Sequence, residues 1–106
     1  MDYKYKFTTN AIRDIDGIVS YITFTLCNKE AAEDFLKKFD AAISRACEFP
    51  YGYPSAVNTY YLRNDIRKMI VKKYIVYYKV DDDKQTLIIL GVRHSTANAE
   101  DFLKNY

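Results

Sequence analysis

The 106-residue chain has one histidine, two cysteines, two prolines, three glycines and no tryptophan. Two cysteines and one histidine do not supply the ligands of a structural zinc site, and a disulfide is not expected in a reducing compartment. We therefore expect free thiols at Cys27 and Cys47, with Cys47 in the core, and neither a metal nor another cofactor. Because no apolar run could cross a bilayer and the N-terminus has no signal-peptide core, we predict a cytoplasmic protein without membrane contact.

Positive charge is concentrated in the middle of an otherwise ordinary composition. The hydrophobic fraction of 49% and the charged fraction of 28% are typical of a globular protein, and the length predicts one domain over residues 1–106. Residues 10–49 hold seven acidic and five basic residues, whereas residues 63–79 hold a single acidic residue. That second stretch contains six basic residues: Arg63, Arg67, Lys68, Lys72, Lys73 and Lys79. The stretch suits an anionic partner such as nucleic acid. Equally, its lysines can lie on an edge strand, where they prevent pairing with another sheet.

Hydrophobic periodicity predicts the element order β-α-α-β-β-β-α in an α+β fold. "DYKYKFT" alternates like a strand, and the next apolar residues recur at helical spacing: Ile12, Ile15, Ile18 or Val19, Ile22 and Leu26. Asn28 can cap a second helix, which "EFPYGYP" ends. Three strands follow, "IRKMIV", "YIVYYKV" and "TLIILGV", and "STANAEDFLKNY" resumes a helical pattern.

The short connections between these elements predict how they pack. Two helices joined by few residues form a hairpin, and strands joined by hairpin-length turns form an antiparallel meander. We expect the helical hairpin to pack on one face of a small antiparallel-rich sheet. Alternation separates Lys68 from Arg67 and leaves open which of them faces the helices. In the last strand it groups His94 with Val92, Leu90 and Ile88, and Arg93 with Gly91.

The chain resembles the RelE/ParE superfamily of bacterial toxins from toxin–antitoxin modules over almost its whole length. The resemblance rests on "TTNAIRDIDGIVSYI", on "EFPYGYP" and above all on "IRKMIVKKYIVYYKVDDDKQTLIILGVRHS". It implies a small toxin that a cognate antitoxin neutralises in a hetero-oligomeric complex. RelE-like members cut messenger RNA on the ribosome without a metal, whereas ParE-like members act on DNA gyrase and are not nucleases.

The RelE-like activity assigns roles to named residues. Cleavage through the 2′-hydroxyl needs a base, an acid and cations that stabilise the phosphorane. An imidazole exchanges protons at physiological pH, so His94 is the first candidate for proton transfer. The resemblance and the cation cluster together give a catalytic set of His94, Arg93, Lys68 and Arg67. The predicted substrate-binding residues are Arg63, Lys72, Lys73, Tyr74 and Tyr106.

Other features favour a different activity. RelE-like enzymes often have arginine after the first tyrosine of "YIVYYKV", whereas Ile75 stands there, as in ParE-like members. His94 can equally be the residue that ends a strand, and Tyr106 can close a helix onto the core. The sequence thus narrowly favours a ribosome-dependent endoribonuclease, with a gyrase inhibitor or a weakly toxic antitoxin-binding chain as alternatives.

Overall fold

The computed structural model describes residues 2–53 and 66–95, and the predicted element order holds from the first strand to the fourth. The strands are β1 (Lys4–Phe7), β2 (Ile66–Val71), β3 (Tyr74–Asp81) and β4 (Thr86–His94); the helices are α1 (Thr9–Ser20) and α2 (Lys29–Glu48). A π-helical segment, Tyr21–Thr25, follows α1 directly. The final helix predicted from "STANAEDFLKNY" lies, from residue 96 onward, outside the described residues.

The four strands form one mixed sheet in the order β1-β4-β3-β2. The predicted antiparallel meander of β2, β3 and β4 is confirmed, and β1 runs parallel to β4 at the other edge. A parallel pair needs a long crossover, which the two helices supply between β1 and the meander. The two-residue turn between β2 and β3 holds Lys72 in the left-handed region at φ 56°.

Both helices pack on one face of the sheet, as predicted, and the core lies between the layers. The aromatic rings of Phe35 and Phe39 on α2 are buried there, and Cys47 is a small core residue as expected. Seven sheet residues complete this core: Met69, Val71, Val76, Tyr78, Leu87, Ile89 and Val92. The helical layer therefore covers the side of β2 that carries Arg67. Neither helix found in the described ranges is long and apolar enough to span a bilayer.

A bulge in β4 corrects the predicted alternation of the last strand. Tyr77 pairs with Gly91 but Tyr78 pairs with Ile89, so Leu90 is the extra residue. One inserted residue reverses the facing of everything that follows it in the strand. His94 consequently shares the helix-covered face with Val92 and Ile89, and not with Leu90 and Ile88 as the simple alternation indicated.

The first helical segment departs at both ends from the predicted pattern of buried apolar residues. Ile12 is 52% exposed and Leu26 is 54% exposed, although both were expected in the core. The π-helical segment is one reason, because its wider turn rotates the following residues relative to an α-helix. It leaves Ile22 buried and Phe24 77% exposed. The predicted period is therefore correct from Ile15 to Ile22, which pack in or against the core, and wrong at Ile12 and Leu26.

The Thr8 side chain ties the N-terminus of α1 to the sheet. The Thr8 hydroxyl accepts a hydrogen bond from the Ala11 amide at 3.1 Å and donates one to the Leu90 carbonyl at 2.9 Å. Thr8→Ala removes both, so we expect unfolding free energy to fall by about 1–2 kcal/mol. Thr9→Ala, at the exposed neighbouring position, should change it by less than about 0.5 kcal/mol. Urea unfolding followed by circular dichroism measures both, and equal losses would contradict the assigned role of Thr8.

Candidate functional site

An open groove of about 710 Å³ lies between α1 and the adjoining ends of β3 and β4. Helix α1 and the segment after it form one wall, and the strand ends with the β2–β3 turn form the other. Its lining residues are Arg13, Asp14, Gly17, Ile18, Tyr21, Leu26, Lys73, Tyr74, Val92, Arg93 and His94. The groove thus has an apolar floor and a largely basic rim.

Four residues that the sequence predicted for the site meet in this groove: Lys73, Tyr74, Arg93 and His94. A second, smaller hollow of about 200 Å³, the apolar hollow, adjoins it and shares Leu26, Lys73 and Tyr74. The rest of the apolar hollow is formed by Ile22, Ala31, Phe35 and Lys72. A fifth predicted residue, Lys72, therefore lies beside the groove.

Arg93 is held against α1 at an uncovered stretch of sheet edge. The pairing of β1 with β4 ends at Ile89, and beyond it no strand of residues 2–53 and 66–95 pairs with this edge of β4. Asp14 takes that place: its Oδ2 accepts the Val92 amide at 2.9 Å and the Arg93 Nη1 at 2.5 Å. The Arg93 guanidinium is thereby engaged with a carboxylate of its own chain.

His94 stands at the end of a line of aromatic rings that begins in the core. Its ring meets that of Tyr74 edge to face, with centroids 5.4 Å apart, and Tyr74 meets Phe35 at 5.2 Å. Phe35 in turn packs on Phe39 at 5.9 Å. The exposed imidazole is thus positioned by rings anchored in the core, on the helix-covered side of the sheet.

The two lysines of the β2–β3 turn have different surroundings. Lys72 forms an ion pair with Asp34 of α2, and this hydrogen-bonded ammonium, assisted by Lys38, holds the pKa of the Asp34 carboxyl below its ordinary value. Lys73 is exposed at the groove, and its carbonyl accepts the Ser95 amide at 2.7 Å. Of these two lysines, therefore, only Lys73 adds its positive charge to the rim of the groove.

Arg67 and Lys68 lie away from the groove. Arg67 pairs with Tyr78, whereas the groove lies at the Tyr74 end of the same strand, roughly 13 Å away at 3.3 Å per residue. Its Nη1 donates to the Tyr53 carbonyl at 2.6 Å. Lys68 pairs with Tyr77 and projects from the opposite face of the sheet. The structure therefore does not gather Arg67, Lys68 and His94 around one point.

Arg67 belongs instead to a tyrosine cluster at the far end of the sheet. Its guanidinium lies 4.8 Å from the ring centroid of Tyr51. The hydroxyls of Tyr51 and Tyr3 both donate to the Asp82 carboxylate, at 2.5 and 2.8 Å. These hydrogen bonds lower the pKa of Asp82 and raise that of Tyr3, and the bond to Asp82 raises the pKa of Tyr51 to about 12. The cluster joins the N-terminus, the chain after α2 and the β3–β4 turn.

This cluster predicts a loss of stability at alkaline pH. A hydroxyl whose pKa is raised on folding stabilises the fold fully below its ordinary pKa of 10.0, and loses that contribution as pH rises toward about 12. Tyr51→Phe removes the titrating group, so its unfolding free energy should fall less than that of the wild type as pH rises through this window. Parallel pH-dependent loss in the two proteins, measured by urea unfolding, would contradict the prediction. Burial also raises the pKa values of Tyr77 and Tyr78, but both groups are present in the two proteins, so their contribution cancels in the comparison.

Two predicted site residues, Arg63 and Tyr106, lie outside the described residues. Within residues 2–53 and 66–95 no group of three or more histidine, cysteine, aspartate or glutamate side chains is placed to hold a metal ion. Both cysteines have free thiols, as the sequence predicted.

The α1 wall of the groove was not predicted from the sequence. Arg13, Gly17 and Tyr21 line it, and Asp14 makes its ion pair there. Asp14 and Arg93 are 79 residues apart, and no local pattern links positions at that separation. The one available signal was Gly17, an unusual residue within a helix, where an added Cβ atom would meet no atom within 4 Å.

The comparisons with known proteins agree with this architecture. Residues 5–99 match the family model described as the ParE toxin of the type II toxin–antitoxin system, parDE. No sequence among the curated proteins matches the chain significantly.

Solved structures from three bacteria share the fold. In the RelBE2 toxin–antitoxin complex of Mycobacterium tuberculosis, one chain matches with a TM-score of 0.60 and 22% identity, over 89% of this chain and 99% of that one. A chain of the chromosomal ParDE system of P. aeruginosa matches with a TM-score of 0.67 and 15% identity, over 87% and 95%. Isolated E. coli RelE matches with a TM-score of 0.58 and 15% identity, over 97% of both chains. At these identities the likeness establishes the fold.

Proposed function

Because the chain belongs to the ParE toxin family of type II toxin–antitoxin systems, we propose that it is a toxin that arrests growth by binding DNA gyrase in the cytoplasm. A cognate antitoxin neutralises it in a toxin–antitoxin complex; one chain of the toxin–antitoxin complex RelBE2 shares its fold. One observation gives the strongest support for a mode of action without RNA cleavage. The cations that would have to surround a scissile phosphate are separated in the structure.

RNA cleavage needs its acid, its base and its cations within reach of one phosphate. His94 is on the helix-covered side of the sheet, whereas Lys68 is on the other. Arg93 binds Asp14, and Arg67 binds the Tyr53 carbonyl at the far end. Two of the three candidate cations are therefore engaged with groups of their own chain, and the third lies across the sheet from the imidazole.

The residue opposite Arg93 supports the same conclusion. Ile75 pairs with Arg93 across β3 and β4, at the position where the resemblance places an arginine in RelE-like enzymes. An isoleucine cannot stabilise a phosphorane, so the sheet has lost a cation where a nuclease needs one. By contrast, a protein partner can bind apolar and basic groups without requiring them to converge on one atom.

A ribosome-dependent endoribonuclease is the second candidate, and one observation favours it. The backbone positions of Lys68 and Arg93 direct their side chains to the same face of the sheet, on either side of β3. That face would have to bind RNA through these two residues, with Arg93 released from Asp14. The opposite placement of His94 would then exclude it from proton transfer.

Two assays on the purified protein separate the candidates. We expect the protein to inhibit the supercoiling of DNA by gyrase. We also expect it to leave a defined mRNA intact in a reconstituted translation system, where primer extension maps the 5′ ends. Expression in cells should cause filamentation and an SOS response before protein synthesis falls. Ribosome-dependent cuts together with unaffected supercoiling would refute the proposal. In that case the His94→Ala variant decides its role, since loss of a general acid slows cleavage about 100- to 10,000-fold.

A further inference from the structure

We infer that the apolar hollow is a binding site for a small monocarboxylic acid whose body is one aromatic ring or a short branched chain. The hollow lies between the π-helical segment, α2 and the β2–β3 turn, beside the groove. Such binding requires neither gyrase nor an antitoxin, so it goes beyond the proposed function and does not depend on it.

The size and lining of the apolar hollow fit a ligand body of about one ring. Its volume of about 200 Å³ is somewhat larger than the roughly 150 Å³ of an engineered apolar cavity that holds benzene. Ile22 and Phe35 belong to the core, and Ala31 and Tyr74 pack against it, so the lining is aliphatic and aromatic. Pockets for drug-sized ligands measure roughly 300–1,000 Å³, so a smaller molecule is indicated.

The walls of the hollow are held in place by the core and by the backbone. Phe35 is fully buried, and its ring lies 5.2 Å from that of Tyr74. The Asn28 amide donates to the Ile22 carbonyl at 3.0 Å, which fixes the end of the π-helical segment above the hollow. The Leu26 side chain, 54% exposed, stands at the mouth, where a ligand can pack beneath it. The hollow is therefore preformed, as ligand sites usually are.

The charges at the mouth favour one carboxylate. Lys72 and Lys73 line the hollow on the side of the turn, and none of its described lining residues is acidic. The Lys72 ammonium is already paired with Asp34, whose carboxylate also pairs with Lys38 at 3.3 Å. Lys73 is exposed, and within residues 2–53 and 66–95 it forms no ion pair. An available ammonium beside an apolar hollow matches a monoanion with an apolar body, because a charge-assisted hydrogen bond can fix its orientation.

Ala31 allows the hollow to be filled from α2 while its backbone hydrogen bond is kept. It lines the hollow, and its amide donates to the Asn28 side chain whatever side chain residue 31 carries. Ala31→Leu should fill the hollow, whereas Ala41→Leu adds the same group at an exposed position of the same helix. Leucine is nearly as good a helix former as alanine, so thermal unfolding should be cooperative for both variants.

The test is an NMR titration of the ¹⁵N-labelled protein at low salt with phenylacetate, and with phenylacetamide as an uncharged molecule of the same shape. We expect phenylacetate to shift the amide signals of Ile22, Ala31 and Tyr74 with a dissociation constant of about 0.1–1 mM, the range for a ligand of about ten non-hydrogen atoms. Phenylacetamide should bind about tenfold more weakly. Lys73→Ala should weaken phenylacetate by the same factor and leave phenylacetamide unchanged. Ala31→Leu should abolish the shifts, and Ala41→Leu should keep them.

Several results would overturn the inference. They are the absence of saturable shifts in the wild type, equal affinity for the acid and the amide, and undiminished binding of phenylacetate by Ala31→Leu. Shifts of the same amide signals on dilution without a ligand would place a second copy of the chain in the hollow, which also overturns it. If Ala31→Leu does not fold, Lys73→Ala decides the result, because that side chain is exposed. The supercoiling assay is done without phenylacetate, so the proposed target and this site can fail independently.

Discussion

Replacing Phe35 with alanine should lower the free energy of unfolding by about 3–5 kcal/mol, the range for deleting a fully buried phenylalanine. Phe35 is fully buried, and its ring contacts those of Phe39 and Tyr74 at 5.9 and 5.2 Å. Alanine there leaves a cavity between α2 and the sheet. A domain whose whole stability is about 5–15 kcal/mol would lose a large part of it. Urea unfolding at neutral pH, followed by far-UV circular dichroism, measures the loss.

Leu36→Ala is the matched control for this prediction. Leu36 is the next residue of the same helix and is 39% exposed, so its truncation removes less buried surface and should cost about 1 kcal/mol. Equal losses in the two variants would contradict the prediction, because both substitutions introduce the best helix former and differ only in the buried surface that they remove. The line of rings also predicts that Phe35→Ala shifts the NMR signals of the His94 imidazole, which Leu36→Ala should leave in place.

The sequence predicted the elements well because their signals are local. The change of period from two in "DYKYKFT" to helical spacing marked the boundary between β1 and α1, and Asn28 marked the start of α2, whose Ala31 amide it accepts at 3.0 Å. The prolines and glycine of "EFPYGYP" ended that helix where the pattern indicated. In each case the residues from which the boundary was predicted are the same residues that form it.

The candidate site was predicted only in part because its geometry depends on distant contacts. Lys73, Tyr74, Arg93 and His94 meet in the groove, since the β3–β4 register brings Tyr74 opposite His94. The prediction that His94 shares a face of the sheet with Leu90 was wrong, because nothing in an apolar run identifies the residue that bulges. Arg67 and Lys68 were grouped with His94 by charge and order, which specify neither the face nor the end of a sheet.

The contact between α1 and the edge of β4 gives the second large expected effect. Asp14→Ala should cost about 2–3 kcal/mol, because one carboxylate satisfies both the Val92 amide at 2.9 Å and the Arg93 guanidinium at 2.5 Å. The Arg93 and Asp14 side chains are 37% and 22% exposed, so water recovers part of the loss and salt should reduce it. Asp16→Ala removes the same charge from an exposed position of the same helix and should cost less than about 0.5 kcal/mol.

A double-mutant cycle with Arg93→Ala separates the two roles of Asp14. If the ion pair carries most of the effect, the double variant should be little less stable than Asp14→Ala, with a coupling energy of about 1–2 kcal/mol. If the hydrogen bond to the Val92 amide carries it, the two losses should add, because that bond does not involve the Arg93 side chain. Additive losses would also leave the guanidinium available to an incoming phosphate at little cost, which is what a nuclease needs. Strong coupling would instead commit Arg93 to the fold, as the non-nucleolytic proposal requires.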